Sequence, residues 1–283
     1  MSSPHLMTRQ QDAGVMLQGD TEDMMDVFAT GWFHDQHRED LGEKSFFSFT
    51  QKEMEEMQEV IELLVRKLKD TIKRRHAKTK RGIPDIKKIL RTASRYQGIP
   101  MQLVFRGKPK QRGEIVTLCD VSGSVWTAAK FMLSMLYSLQ DCFLAVRSFI
   151  FVSELAEVTR TFERYEVKKA IDKALVEAKI DYKGTTNYGK AFRYFKTQYL
   201  DILNKKTTLI IIGDSRTNYT NSEAEILKEM QDKCQRVIWL NPEPRVLWNT
   251  GDSRMRAYET YCRQVQHCEN LNQLLAFIKH LVL

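Results

Sequence analysis

From Met101 onward, short apolar runs alternate with amphipathic stretches, and this alternation constrains the fold of the chain more than any other feature. Met101 to Phe105 and Ile115 to Cys119 read as strands, with a turn at Gly107 to Gly113 between them. The spacing then predicts a helix at Trp126 to Leu139, a strand at Phe143 to Val152, and helices at Glu166 to Ala178 and Tyr188 to Leu203. A strand at Thr208 to Ile212, a helix at Glu223 to Lys233, a strand at Val237 to Leu240 and a helix at Asn270 to Leu281 complete the series. Strands and helices in alternation cannot pair as hairpins. They imply an open, mainly parallel, doubly wound α/β sheet with helices on both faces. No internal repeat interrupts it.

Ahead of this domain, at 101–283, lie two segments of different character. Residues 1–48 show no sustained periodicity and read as a flexible tail, with Met24-Met25, Val27-Phe28 and Trp32-Phe33 as short docking elements. Residues 49–100 read as a basic helical segment. Thr50 with Glu53 is a capping-box pattern, and Met54, Met57, Ile61, Leu64, Val65, Leu68 and Ile72 recur on one face. A shorter helix is expected at Asp85 to Tyr96. The formal net charge of +8 is concentrated here: between Arg66 and Arg112 the only acids are Asp70 and Asp85. Such a block suits a solvated face, an acidic protein partner or a nucleic acid. Tyr96 and Phe105 are the only aromatics able to stack on bases within it, a sparse set for single-strand binding.

In a doubly wound sheet, ligands sit outside the carboxyl ends of the strands. Three loops at such ends carry oxygen donors: Asp120-Val121-Ser122-Gly123-Ser124, Gly184-Thr185-Thr186-Asn187-Tyr188-Gly189, and Gly213-Asp214-Ser215. Taken alone, the first is also compatible with a simple strand-to-helix turn capped by Ser124. Together, Asp120, Ser122, Ser124, Thr186 and Asp214 offer two carboxylates and three hydroxyls, a set suited to a hard cation such as Mg2+ or Mn2+. Neutral hydroxyls leave the ion under-compensated, so an acidic side chain of a partner can replace a water on it.

Asp-x-Ser-x-Ser, then Gly-x-Thr, then a strand-end Asp resembles the metal-ion-dependent adhesion site (MIDAS) of von Willebrand factor A (VWA) domains. The run Gly184 to Phe192 is similar to the family's Gly-Gly-Thr-Asn-Thr-Gly-Lys-Ala-Leu segment, an alignment that selects Thr186 over Thr185. Arg91-Thr92-Ala93-Ser94, the basic hairpin before Asp120, and Val237-Ile238-Trp239-Leu240-Asn241-Pro242 resemble the CoxE-like branch. Gly213-Asp214-Ser215 departs from the usual Ser-Asp-Gly of relatives, and Val125 stands where Met is frequent. The resemblance implies a Rossmann-like VWA fold and a non-enzymatic, metal-dependent adaptor. Its expected partner is a MoxR-type AAA+ ATPase acting on a client metalloenzyme.

Other classes are less well served by the residues. No Gly-x-Ser-x-Gly elbow surrounds Ser122, and the six histidines show no metal or catalytic spacing, which speaks against a metal-dependent hydrolase. A nucleic-acid-binding protein using the basic segment is the alternative reading. No apolar run approaches the roughly 20 residues of a membrane span. Met1 to Asp20 lacks the basic-then-apolar order of a signal peptide, so a cytoplasmic protein is expected. The five cysteines form no C-x-x-C pair and read as small buried hydrophobes.

Overall fold

The computed structural model describes residues 41–50, 52–57, 59–60, 83–84, 105–106, 113–138, 143, 145–165, 167–178, 180–182 and 184–282. The chain divides into two units, Met1–Lys44 and Ser45–Leu283. Of the first, residues 41–43 are helical. The tail at 1–40, most of the basic helical segment, the helix expected at Asp85 to Tyr96 and the turn at 107–112 lie outside the described residues.

The second unit holds a two-stranded antiparallel ladder, Ile83–Pro84 with Phe105–Arg106, the latter at the end of the strand expected from Met101, and is built on a sheet of six further strands. In chain order they are β1 (Glu114–Asp120), β2 (Ala145–Phe151), β3 (Leu155–Glu157), β4 (Thr207–Ile212), β5 (Arg236–Asn241) and β6 (Gln264–His267). The helices are α1 (Trp126–Ser138), α2 (Thr159–Arg164), α3 (Val167–Glu177), α4 (Tyr188–Tyr199), α5 (Ala224–Lys233), α6 (Met255–Glu259) and α7 (Leu271–Val282). The order across the sheet is β3-β2-β1-β4-β5-β6. Every pairing is parallel except β2 with β3. The expected open, doubly wound α/β sheet is therefore present, with one antiparallel edge strand.

β1 and β4 are central, and their sequences show it. From Ile115 to Asp120 and from Thr207 to Ile212 every residue is buried, as parallel strands covered on both faces require. Alternation sends Val116, Leu118, Leu209, Ile211, Val237 and Trp239 to one face. There they meet Tyr188, Phe192 and Phe195 of α4, Leu227 and Met230 of α5, and Tyr258 of α6. α1 packs over the other face of β1. Phe46, fully buried, lies 5.1 Å from the Phe131 ring of α1, and its N–H donates to the Glu269 carbonyl at 2.8 Å. The Thr50 capping box forms: Thr50 N–H donates to Glu53 Oε2 at 2.8 Å and Glu53 N–H to Thr50 Oγ1 at 3.3 Å.

Four short elements, β3, α2, α6 and β6, were not expected from the sequence. β3 has three residues, too few for a period-two signal, and α6 has five. A cross-strand contact holds β3: the Arg147 guanidinium of β2 grips the Glu157 carboxylate through Nε at 3.0 Å and Nη2 at 2.7 Å. Cys119, Cys234 and Cys268 are buried and unpaired, and burial pushes the Cys268 thiol up to about 12, so these are inert core residues.

Candidate functional site

The strand order reverses between β1 and β4, and this switch point opens a crevice at their carboxyl ends. The register pairs Cys119 with Ile212, which sets Asp120 level with Gly213 and places Asp214 one residue beyond. Asp120 is fully buried and Asp214 nearly so. The third loop is drawn in from the β2 side, where Asn187 N–H donates to the Val152 carbonyl at 2.9 Å. Asn187 then caps α4, its Oδ1 accepting from Lys190 N–H at 2.8 Å.

Four of the five expected residues are joined in one chain. Ser124 Oγ donates to Asp214 Oδ2 at 2.8 Å, across 90 residues of sequence. With its proton committed, Ser124 Oγ accepts from Ser122 Oγ at 3.1 Å. Asp120 Oδ1 accepts from Ser122 N–H at 2.8 Å, and Asp214 Oδ1 from Arg216 N–H at 3.0 Å. Ser124 is thus spent on Asp214 across the crevice rather than on capping α1. The fifth residue, Thr186, is buried in the third loop, and its carbonyl accepts from Asn218 Nδ2 at 3.1 Å.

Two residues that sequence reasoning gave no role complete the arrangement. Tyr188, fully buried at the start of α4, donates its hydroxyl proton to Asp120 Oδ2 at 2.8 Å and accepts from Ser215 N–H at 3.1 Å. Arg216 holds the loop after β4 to the loop after β5. Its Nε donates to Glu243 Oε1 at 2.8 Å and its Nη1 to Asp252 Oδ1 at 2.9 Å. Tyr188 stands where the family segment has Thr, a difference that marks the position but not the contacts of its hydroxyl.

The electrostatics of the crevice are those of an uncompensated anion pair. Burial, and then the neighbouring Asp214 charge, push the Asp120 carboxyl from 3.8 up to about 7, against the hydrogen bonds of Ser122 and Tyr188. Burial likewise raises Asp214, against its bonds from Arg216 N–H and Ser124. Among the described residues neither carboxylate forms an ion pair, since the nearby Arg216 guanidinium is engaged by Glu243 and Asp252. No group of three His, Cys, Asp or Glu side chains able to hold a metal occurs among the described residues. The donor chemistry here is two carboxylates plus hydroxyls. That set fits a hard, oxygen-preferring divalent ion and not a soft one.

A model of the family described as VWA domain containing CoxE-like protein matches residues 57–277. No curated protein matches the sequence. Among solved structures, the chain is similar to a von Willebrand factor type A protein from Catenulispora acidiphila, at 11% identity and a TM-score of 0.42, over 61% of this chain and 42% of that one. It is similar to the manganese-loaded TRAP protein of Plasmodium vivax, at 15% identity and a TM-score of 0.42, over 61% and 74%. It is also similar to proximal thread matrix protein 1 of the mussel byssus with a zinc-occupied MIDAS motif, at 14% identity and a TM-score of 0.44, over 60% and 47%. The chain thus spans less than half the length of two of these three proteins. Among the described residues no helix is long and apolar enough to cross a membrane.

Proposed function

The chain belongs to the family of VWA domain containing CoxE-like proteins, and from that premise we propose that its crevice is a metal-dependent protein-binding site. Asp120, Ser122, Ser124, Thr186 and Asp214 are the residues that would hold Mg2+ or Mn2+. The ion, when bound, supplies a Lewis-acidic position that a carboxylate of another protein can occupy. The chain's own residues prepare that position. Ser122 N–H and the Tyr188 hydroxyl hold Asp120, while Arg216 N–H and Ser124 hold Asp214.

One observation carries the reading: two buried carboxylates converge at the switch point with hydroxyls between them and no ion-pair partner among the described residues. Two such charges out of water are costly unless paired or coordinating a metal. The hydrogen-bond donors the structure gives them are main-chain N–H groups and hydroxyls, which hold both carboxylates in place. We therefore read the chain as a binding protein. The partner proposed is a MoxR-type AAA+ ATPase or its client, offering a Glu or Asp to the metal. The test is calorimetry: Mg2+ or Mn2+ should bind at one site, and Asp120→Ala should abolish it. Undiminished binding by that variant would sink the assignment.

A further inference from the structure

Tyr188 is a fully buried hydroxyl that the five-residue motif does not account for and that bonds directly to an Asp120 carboxylate oxygen. It touches both sides of the switch point. A main-chain N–H can only donate, so the Tyr188 oxygen accepts from Ser215 and its proton goes to Asp120 Oδ2. One hydroxyl on α4 thus ties the loop after β1 to the loop after β4, two residues from Thr186 in the third loop. With Ser122 N–H on Oδ1, both oxygens of Asp120 are held and the carboxylate is fixed in orientation. The ring is equally fixed. It stacks on Trp239 at 5.6 Å and meets the Phe151 ring edge-on at 5.0 Å.

The space it fills explains a second departure of this chain from the family pattern. A Cβ on Gly213 would lie 2.0 Å from the Tyr188 hydroxyl and 2.8 Å from Asp120 Cβ. The Tyr188 hydroxyl makes the closest of these contacts; with Asp120 Cβ and a φ of +157° it excludes the Ser of the family's Ser-Asp-Gly, and this chain has Gly there. Two positions that look like independent departures, Tyr188 for Thr and Gly213 for Ser, fit one another in space.

We infer that Tyr188, paired with Gly213, is a positioning residue that orients Asp120 in the crevice; this rests on the reading of that crevice as a metal site. Groups that orient metal ligands from behind typically change affinity about 10- to 100-fold when removed. Tyr188→Phe keeps the ring and deletes only the hydroxyl. In calorimetry it should bind Mg2+ with unchanged stoichiometry and roughly 10- to 100-fold lower affinity. Adding saturating Mg2+ to the unaltered protein should also give a tyrosine ultraviolet difference band, because the ion draws charge from the carboxylate that accepts the phenolic proton. Tyr188→Phe should lack that band. A coupled test needs no metal: Gly213→Ala should lower the thermal midpoint markedly in the natural chain and distinctly less in the Tyr188→Phe background. Full Mg2+ affinity in Tyr188→Phe, the lack of a tyrosine band in the unaltered protein that nonetheless binds Mg2+, or equal effects of Gly213→Ala in both backgrounds would each overturn the inference alone. If the unaltered protein bound no divalent ion, the metal reading itself would fall, and this inference with it.

Discussion

At the residue scale, Asp120 sets function against stability. Its carboxyl is raised from 3.8 to about 7 by burial and then by Asp214, so the folded, metal-free protein holds a proton that the unfolded chain releases near pH 4. A raised acid contributes stability at low pH that is lost as pH climbs through the window between the two values. At about 1.4 kcal/mol for each pH unit, the loss reaches a few kcal/mol by pH 7. Asp120→Asn removes the buried charge. In chelator at pH 8 it should raise the thermal midpoint by roughly 5 °C, and by little at pH 5. Mg2+ should stabilise the natural protein and leave the variant unmoved. A variant less stable than the natural chain in chelator at pH 8 would show that the carboxylate is needed for the fold itself. That Asp120, Ser122, Ser124 and Asp214 would meet was legible in the sequence because strand ends in an alternating α/β chain point to one crevice. The part played by Tyr188 was not, because an aromatic at the start of a helix reads as core, and only the fold shows its hydroxyl reaching between Asp120 and Ser215.

At the scale of elements, the loops rather than the strands decide the shape of the crevice, and Arg216 is their clamp. Its guanidinium bridges Glu243 and Asp252, Asp252 Oδ2 accepts from Asn218 N–H at 2.8 Å, and Asn218 reaches the Thr186 carbonyl. The loop after β4 is thereby fastened both to the loop after β5 and to the Thr186 segment. This stretch adopts left-handed backbone at Ser215, Asn218 and Tyr219, a conformation that non-glycine residues hold only when surrounding contacts impose it. Arg216→Lys keeps the charge but loses the planar fork that serves two carboxylates at once. It should destabilise the domain by about 1–3 kcal/mol, short of the full cost of breaking a buried pair because these groups keep some solvent contact. Mg2+ affinity should fall with it. A thermal midpoint within a degree of the natural chain would mean that the loops are held by other contacts. The long elements were legible because ten or more residues give a clear helical period and because central parallel strands are apolar throughout. β3, α2, α6 and β6 were not legible, since each has six residues or fewer, too short for a clear periodic signal.

At the scale of the whole molecule, two sources of attraction for an acidic partner differ in reach, and the difference makes them separable. One is the proposed metal position. Two carboxylates would balance a divalent ion in formal charge, and the Lewis acidity left at its open coordination position is what would take up a Glu or Asp. That contact is short and largely desolvated, and salt screens it weakly. The other is the formal net charge of +8, concentrated between Arg66 and Arg112, which acts through solvent and is screened within about 8 Å at physiological ionic strength. Partner binding should therefore divide into a chelation-sensitive part and a salt-sensitive part. Reversing Lys73, Arg74 and Arg75 to Glu should flatten the salt dependence and leave the Mg2+ requirement intact. Asp120→Ala should do the opposite, keeping the salt slope and losing the response to Mg2+. Removing one acidic residue of the partner should match Asp120→Ala, and the two changes together should cost little more than either, since both delete the same metal-bridged contact. Binding assays across a salt series, with and without chelator, read all of these outcomes. A complex that survived chelation, with losses from the two sides that simply added, would make any ion in the crevice structural and place the partner's contact elsewhere on the molecule.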